Sequence, residues 1–247
     1  DITIEFQGGE PLINLAVLKF IVEYARNKNR TAAKSLRFSI VSNLSHLNPE
    51  AYEFLSLNKD ISVCTSLDGP SSIHNACRKS LYGKGNSYKD TVKNLKLLKK
   101  GQENGTLTNS PNALLTITRY SLGHHKQIID EYVKLGLQKI HLRPMNTFGG
   151  KKKAIQNLVL SHDDFMAFYK DSLDYILDLN AKGVYFVEVG AFIFLKKILT
   201  GLDPNYMDIR SPCGAALGQL AYNFDGDVYT CDEGRMLSRS GIAEFKI

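Results

Sequence analysis

The chain has 247 residues, of which 43% are hydrophobic and 23% charged, and its formal net charge is +6. This length and composition predict an ordinary soluble globular protein with one sizeable core, either a single α/β barrel or one domain with a small appendage. No apolar run reaches the ~18–20 residues that cross a bilayer, and no secretory signal is present. The basic excess would suit an acidic peptide, a phosphate-bearing molecule or nucleic acid, although solubility alone also accounts for it.

The cysteines are few and widely spaced. The four residues are Cys64, Cys77, Cys213 and Cys231, and no C-x2-C pair occurs among them. This pattern argues against a zinc ribbon, a thioredoxin-type site or a disulfide framework. A reduced, cytoplasmic setting is therefore expected.

Strand-like and helix-like segments alternate through the first part of the chain. Apolar patterning predicts strands at 1–6, 36–41, 61–65, 113–118 and 139–143. Helices are predicted between them: one carries Leu15 and Leu18, one starts at Asn48-Pro49, one is capped near Ser87 or Asp90, and one runs from 124 to 135 with Gly136 at its end. Such alternation indicates a parallel sheet in either a β/α barrel or a doubly wound fold, with ligands beyond the carboxyl ends of the strands.

The pattern changes after Pro144. A basic loop at 149–153 is interpreted as a solvated face, and helices are predicted at about 161–180 and 191–199. Near the C-terminus, two short strand-like runs flank Asp225-Gly226, which predicts a β-hairpin.

The turn after the first strand is the sequence Gly8-Gly9-Glu10-Pro11. Glycine lets a ligand approach the backbone, and proline stiffens the chain that leaves the turn. Glu10 would then place a carboxylate near the floor of a pocket. A tight turn with an acid on the surface remains the alternative.

Polar residues also follow the next two strands. Ser42 and Asn43 come after the second, and Ser66 and Asp68 come after the third, with Arg78 twelve positions beyond Ser66. A serine and an arginine together can hold a carboxylate, because a guanidinium group can donate two parallel N–H hydrogen bonds to its two oxygens. The alternative for Arg78 is a surface salt bridge.

The order of these turns is more specific than any one of them. FQGGEP, then VSN, then SLDGP followed by His74 and Arg78, resembles the radical SAM enzymes, especially the subgroup with anaerobic sulfatase-maturating enzymes. The segment RSPCGAALGQLAYNFDGDVYTCDEGRML is similar to the opening of a SPASM domain, the cysteine-rich extension of peptide-modifying radical SAM enzymes. A narrower resemblance is to the maturases of the His-Xaa-Ser system.

The resemblance implies an α/β fold, an incomplete and open radical SAM β/α barrel with parallel strands and outer helices. This barrel would cover residues 1–200 and lack the first βα unit, and the beginning of a SPASM domain with its β-hairpin would cover 201–247. In the family the GGEP turn follows the second strand, so the chain is expected to begin at strand two.

The resemblance also implies a site for S-adenosylmethionine. The turn at 8–10 would bind the methionyl amine, Ser66 and Arg78 the carboxylate, the pair at 42–43 the ribose, and Leu142 the adenine. The full set of expected cofactor-binding positions is Gly8, Gly9, Glu10, Pro11, Ser42, Asn43, Ser66, Asp68, Arg78 and Leu142.

The chemistry implied is reductive cleavage of S-adenosylmethionine at a [4Fe–4S] cluster, which yields a 5′-deoxyadenosyl radical that abstracts hydrogen from a peptide side chain. Cys213 and Cys231 would ligate an auxiliary cluster, and Asp232 matches a catalytic base of the sulfatase maturases. A peptide or protein substrate and a reductant such as flavodoxin or ferredoxin would be the partners, with no nucleic acid and no membrane.

The family's C-x3-C-x2-C cluster loop is absent from the sequence. This polypeptide is therefore expected, as a fragment, to bind no cofactor and to lack radical activity, while the full-length enzyme would use both S-adenosylmethionine and [4Fe–4S] clusters. Two other functions stay open: a non-catalytic peptide-binding module on a degenerate β/α barrel, and an unrelated barrel enzyme for phosphorylated metabolites. Against the barrel enzyme, the sequence lacks a phosphate-type glycine loop after the last strands.

Overall fold

A computed structural model describes residues 1–79, 85–148, 155–204, 206–242 and 244–247. The basic loop predicted at 149–153 lies wholly in one of the gaps, so its interpretation as a solvated face falls outside the described residues. Within the described ranges, every helix is too short or too polar to cross a membrane.

The five predicted strands are present and parallel. They are β1 (Ile2–Phe6), β2 (Leu36–Ser42), β3 (Ile61–Ser66), β4 (Asn112–Ile117) and a fifth segment divided into β5 (Lys139–Ile140) and β6 (Leu142–Pro144). The main sheet has the order β1-β2-β3-β4-β6, and β5 pairs in parallel with β7 (Val187–Glu188). The division of the predicted fifth strand lets the same segment pair with β4 through β6 and with β7 through β5. The result is the predicted open half-barrel.

Helices surround this sheet. They are α1 (Leu15–Ala32), α2 (Pro49–Leu57), α3 (Ser71–Cys77), α4 (Ser87–Glu103), α5 (His125–Lys134), α6 (His162–Ala181) and α7 (Val189–Thr200), whereas α8 (Asp232–Ser238) lies in the C-terminal segment. Asn48 caps α2 as predicted, with its side chain accepting the Ala51 N–H. The N-cap of α4 was predicted at Ser87 or Asp90, and this prediction is wrong. The cap is Asn86, whose side chain accepts the Lys89 N–H.

The two faces of the sheet differ in polarity. The register pairs Ile4 with Phe38 and Phe38 with Ile61, and this row belongs to the core between the sheet and the helices. The adjacent row pairs Glu5 with Ser39, on the face that points away from that core. The helix-facing side therefore supplies stability, and polar groups on the other side and at the strand ends are available for a ligand.

The C-terminal segment contains the predicted hairpin. Strands β8 (Ala221–Tyr222) and β9 (Val228–Tyr229) pair antiparallel. Gly226 adopts a φ of 89° in the turn between them, a left-handed conformation that glycine takes without a steric penalty. Tyr229 also forms a bridge with Lys246, so the end of the chain returns to the hairpin.

Candidate functional site

The glycine turn after β1 leaves open space beside the backbone. Gly8 has a φ of 127°, and a Cβ added to either Gly8 or Gly9 would meet no atom within 4 Å. Gly8 thus needs glycine for its backbone conformation, whereas Gly9 leaves room in front of the chain. The two residues are exposed, so a polar ligand could reach their N–H and C=O groups.

Glu10 joins the end of β1 to the end of β2. Its carboxylate accepts hydrogen bonds from the Leu12 N–H at 3.2 Å, the Ser42 hydroxyl at 2.6 Å and the Asn43 N–H at 2.8 Å. The first of these caps a short 3-10 helix that begins at Pro11. The structure therefore brings together the four predicted positions at 8–11 and the two at 42–43.

Asp68 makes the corresponding connection between β3 and β4. Its side chain is 1% exposed and binds the Arg78 guanidinium through Nε at 2.6 Å and one Nη at 3.2 Å. The same carboxylate accepts the Thr116 N–H at 3.1 Å. Arg78 thus forms the salt bridge of the alternative prediction. The bridge is not a surface one, because its carboxylate, Asp68, is buried.

Ser66 and Arg78 are predicted to hold a ligand carboxylate together. Among the described residues no hydrogen bond joins the two side chains, and Asp68 occupies one side of the guanidinium instead. The second Nη of Arg78 makes no hydrogen bond within the described ranges, which leaves a donor for a ligand carboxylate. Ser66 lies half-buried on β3, in register with Leu114.

His74 is a positioning residue whose contacts the sequence pattern did not reveal. It is fully buried, its Nδ1 accepts the Asp68 N–H at 3.3 Å, and its Nε2 lies 3.1 Å from the Ser87 hydroxyl. Burial lowers the His74 pKa to about 4, so the ring is neutral at pH 7. A neutral ring with the proton on Nε2 satisfies both contacts and fixes the turn that carries Asp68.

Leu142 lies in the core rather than on an open surface. It is 4% exposed, pairs in register with Leu115, and donates its N–H to the Glu188 carboxylate at 3.0 Å. Glu188 is itself buried and also accepts from the Tyr169 hydroxyl at 2.8 Å and from the Ala191 N–H. Sequence reasoning missed Glu188, since one glutamate beside a two-residue strand carries no recognisable pattern.

Two of the three predicted C-terminal residues, Cys231 and Asp232, are held by local contacts. Cys231 caps α8, with Sγ accepting the Gly234 N–H at 3.2 Å, and Cys213 is exposed. Asp232 accepts two hydrogen bonds from Arg235, at 2.9 and 2.6 Å. The carboxylate predicted to act as a base is therefore paired with a guanidinium.

The residues present do not fit an iron–sulfur cluster. Across the described ranges no group of three or more histidine, cysteine, aspartate or glutamate side chains is arranged to hold a metal ion. A [4Fe–4S] cluster needs thiolate ligands, commonly four. Burial raises the pKa of Cys64 to about 12 and also raises the pKa of Cys77, so neither is a thiolate at pH 7.

Comparison with known proteins agrees with this architecture. The chain is 29% identical over 99 residues to the radical SAM cyclopropyl synthase TigE of Paramaledivibacter caminithermalis, covering 40% of this chain and 19% of TigE. It is 25% identical over 232 residues to the uncharacterized protein MJ0907 of Methanocaldococcus jannaschii, covering 93% of this chain and 68% of that protein. No family model matches the chain.

Solved structures give the same fold. Native anSMEcpe with bound AdoMet, an anaerobic sulfatase-maturating enzyme, matches with a TM-score of 0.77 and 24% identity over 94% of this chain and 60% of that one. Streptococcus suis SuiB matches with a TM-score of 0.59 and 15% identity over 93% of this chain and 50% of that one. The class of fold is thus the radical SAM β/α barrel, present here as an open half-barrel. The chain spans 19% of TigE and 60% of anSMEcpe, so it corresponds to part of each.

Proposed function

We propose that the chain is the S-adenosylmethionine-binding part of a radical SAM maturase that modifies a peptide or protein. The observation that carries this proposal is the pair of carboxylate networks at the carboxyl ends of β1 to β4, around Glu10 and Asp68. The Glu10 network adjoins the exposed turn at 8–9, and both networks lie at the carboxyl ends of parallel strands, where β/α folds bind their ligands. The structural likeness to anSMEcpe with bound AdoMet supports the same assignment.

The chemistry of the methionyl group fits these residues. An ammonium group suits the exposed carbonyls of Gly8 and Gly9 and the carboxylate of Glu10, which retains acceptor capacity beyond its three hydrogen bonds. A carboxylate suits the remaining Nη of Arg78, whose other edge Asp68 holds in place. Ser66 would add a hydroxyl donor from β3. Ser42 and Asn43 serve mainly to hold Glu10 in position.

The peptide partner is supported by two of the structural relatives. One is anSMEcpe with bound AdoMet and Kp18Cys peptide, and another is SuiB bound to the precursor peptide SuiA. When S-adenosylmethionine is cleaved reductively at a cluster, it supplies the radical that abstracts hydrogen from such a peptide. The described residues do not hold that cluster, so the role of this chain would be to bind and orient the cofactor.

The division of the chain belongs to the same proposal. Residues 1–200 would form the partial barrel and 201–247 the beginning of an auxiliary domain, in which Cys213 and Cys231 contribute thiolates in the complete enzyme. Asp232 would act as a base only after release from Arg235. A flavodoxin or ferredoxin would provide electrons, and a cytoplasmic location would suit all these partners.

Binding of S-adenosylmethionine tests the proposal directly. Titration calorimetry would compare the chain with its Arg78→Lys variant and with the control Arg30→Lys, which changes an exposed arginine on α1. We expect binding by the chain and the control, and a loss of about tenfold or more for Arg78→Lys, because lysine cannot keep the forked contact with Asp68. Decarboxylated S-adenosylmethionine should bind the chain and the Arg78→Lys variant with similar affinity.

The opposite results distinguish the alternatives. No binding of S-adenosylmethionine by the folded chain would contradict the proposal and favour a peptide-binding module. Mass spectrometry of a candidate peptide, incubated anaerobically with the full-length protein, S-adenosylmethionine and reductant, tests the reaction. An unchanged mass without formation of 5′-deoxyadenosine would contradict the maturase assignment even where the cofactor binds.

A further inference from the structure

Helix α4 carries a row of four lysines at regular helical spacing. The row consists of Lys89, Lys93, Lys96 and Lys100, at positions i, i+4, i+7 and i+11. At 100° per residue, these four positions fall within a sector of about 60° around the helix axis, and they extend over roughly 16 Å of its length. All four residues are exposed, and among the described residues none of their side chains has an ion-pair or hydrogen-bond partner. We call this row the lysine stripe.

The lysine stripe lies away from the core and from both edges of the sheet. The core-facing side of α4 is formed by Val92, Leu95 and Leu98, whose sector is centred about 130° around the helix from the stripe. The helix connects β3 with β4, which are interior strands in the order β1-β2-β3-β4-β6. The exposure of the stripe is therefore a property of the outer surface of the barrel wall.

The stripe is unfavourable for the helix that carries it. Like charges at i, i+3 or i, i+4 repel each other, as they do for Lys93 with its neighbours in the stripe on either side. Lys89 stands in the first turn, where the positive end of the helix dipole disfavours a cation. The acids near the two ends of α4, Asp90 and Glu103, form no ion pair with the stripe among the described residues. An arrangement that costs helix stability in this way indicates a role in binding rather than in folding.

An exposed leucine indicates which kind of partner the stripe fits. Leu97 is 44% exposed, and it lies between Lys93, four residues earlier, and Lys100, three residues later. An apolar contact with charged residues around it is the arrangement of a protein–protein interface. Binding to nucleic acid depends mainly on phosphate contacts, and the carboxylates of Asp90 and Glu103 beside the stripe would repel a polyanion. The complementary partner is therefore a protein that presents carboxylates around an apolar contact.

The first turn of α4 connects the stripe with the proposed cofactor site. The hydroxyl of Ser87, the first residue of the helix, lies 3.1 Å from Nε2 of His74, and Nδ1 of that ring accepts the Asp68 N–H at 3.3 Å. Lys89 follows Ser87 by two positions. A protein on the stripe would thus sit beside the ligand-binding end of the barrel, on its outside. The polar face of the sheet would stay open to a peptide at the same time.

We propose that the lysine stripe is the docking site of the acidic electron-carrier protein that delivers the electron for cleavage of S-adenosylmethionine. This inference rests on the proposed function, which requires a one-electron donor. The carrier loses one electron, and S-adenosylmethionine gains it as the bond between sulfur and C5′ breaks, which gives methionine and the 5′-deoxyadenosyl radical. Peptide and carrier bind different faces of the barrel, so docking of the carrier does not require the peptide to leave.

The rate of 5′-deoxyadenosine formation by the full-length protein tests the docking site. Reduced flavodoxin and dithionite are the two electron sources, because dithionite is a small ion that needs no docking surface. With subsaturating flavodoxin, Lys93→Glu/Lys96→Glu should lower the rate about tenfold or more, since two attractions become repulsions. With dithionite, the same variant should keep the rate of the unaltered protein. The matched control is Lys34→Glu/Lys182→Glu, which changes the net charge equally at exposed positions and should keep both rates.

The two reductants separate failure of this inference from failure of the proposed function. No 5′-deoxyadenosine with either reductant would contradict the proposed function. Formation with dithionite, together with equal flavodoxin rates in the stripe variant and the control, would overturn the docking site and leave the proposed function in place. An equal loss with both reductants would also overturn the docking site, because the lysines would then act on the enzyme itself.

Calorimetric titration of the chain with flavodoxin measures the contact directly. We expect binding at low ionic strength that weakens as salt is added, as for a pairing of exposed charges. A double-stranded DNA duplex and vesicles of phosphatidylcholine with phosphatidylserine are the other anionic partners to titrate. Tighter binding of either one, lost in Lys93→Glu/Lys96→Glu, would overturn the proposal in favour of that partner.

Discussion

The Ser42 hydroxyl donates a 2.6 Å hydrogen bond to the carboxylate of Glu10, 32 residues earlier in the chain. Ser42 is buried at the end of β2, and Glu10 belongs to the turn that follows β1. The bond therefore fixes the glycine turn relative to the neighbouring strand end. This arrangement holds the proposed ammonium site in shape before any ligand arrives, which reduces the cost of ordering it on binding.

Glu10→Gln should lower both stability and cofactor affinity. The amide can accept through one oxygen, but its NH2 group would face the Asn43 N–H and leave that donor unpaired. We expect the free energy of unfolding to fall by about 1–3 kcal/mol, as for a donor left without its hydrogen-bond partner. Urea denaturation measures the change. Glu53→Gln, on exposed α2 surface, is the control, and an equal effect there would contradict the role given to Glu10.

The iron content of the chain gives a second test. We expect anaerobic reconstitution with iron and sulfide to leave this polypeptide without a stoichiometric [4Fe–4S] cluster. Cys213 and Cys231 supply two thiols in the C-terminal segment, whereas a [4Fe–4S] cluster commonly takes four thiolate ligands. Iron and sulfide analysis with the visible absorption spectrum measures the outcome. A stoichiometric cluster that survives gel filtration would show the expectation to be wrong.

Much of the sheet could be predicted because it depends on local patterns. Apolar alternation predicted the five strands, and the turn residues predicted the strand ends that Gly8, Ser42 and Asp68 follow or occupy. The division of the last predicted strand into β5 and β6 could not be foreseen, since it depends on which neighbour each part contacts. Patterns within one segment carry no information about a partner 46 residues away, as for Leu142 and Glu188.

The partner of Arg78 shows the same limit at the site. Sequence reasoning paired Arg78 with Ser66, because both could donate to a ligand carboxylate. In the structure the guanidinium binds Asp68, whose burial and contact with the Thr116 N–H depend on the register of β3 and β4. The sequence therefore predicted that these residues lie at the strand ends but not the hydrogen bonds that orient them.

His74 should make stability depend on pH in the acid range. Its pKa is lowered by burial from 6.5 to about 4, so below pH 6.5 the unfolded chain takes up a proton that the folded chain does not. The folded state should therefore lose about 3 kcal/mol of stability as pH falls from 6.5 to 4, and no more from this group below that.

Urea denaturation from pH 7 to pH 4 measures this loss. His74→Gln should flatten the profile by a similar amount relative to the unaltered chain, since glutamine does not titrate. The same substitution at exposed His46 is the control and should leave the slope in place. An unchanged slope in His74→Gln would show that other groups cause the pH dependence.

Removal of one hydroxyl tests the buried carboxylate behind β6. Tyr169 donates to Glu188 at 2.8 Å, and Glu188 in turn accepts the Leu142 N–H, so Tyr169→Phe removes a hydrogen bond from a buried charge. We expect the free energy of unfolding to fall by about 1.5–3 kcal/mol, as for a hydrogen bond to a charged group. The matched control is Tyr175→Phe, whose hydroxyl donates to the exposed Asp130 at 2.7 Å. Water can replace that donor, so the control should cost about 0.5 kcal/mol or less. Equal losses in the two variants would mean that the network around Glu188 does not stabilise the strand end more than a surface contact does.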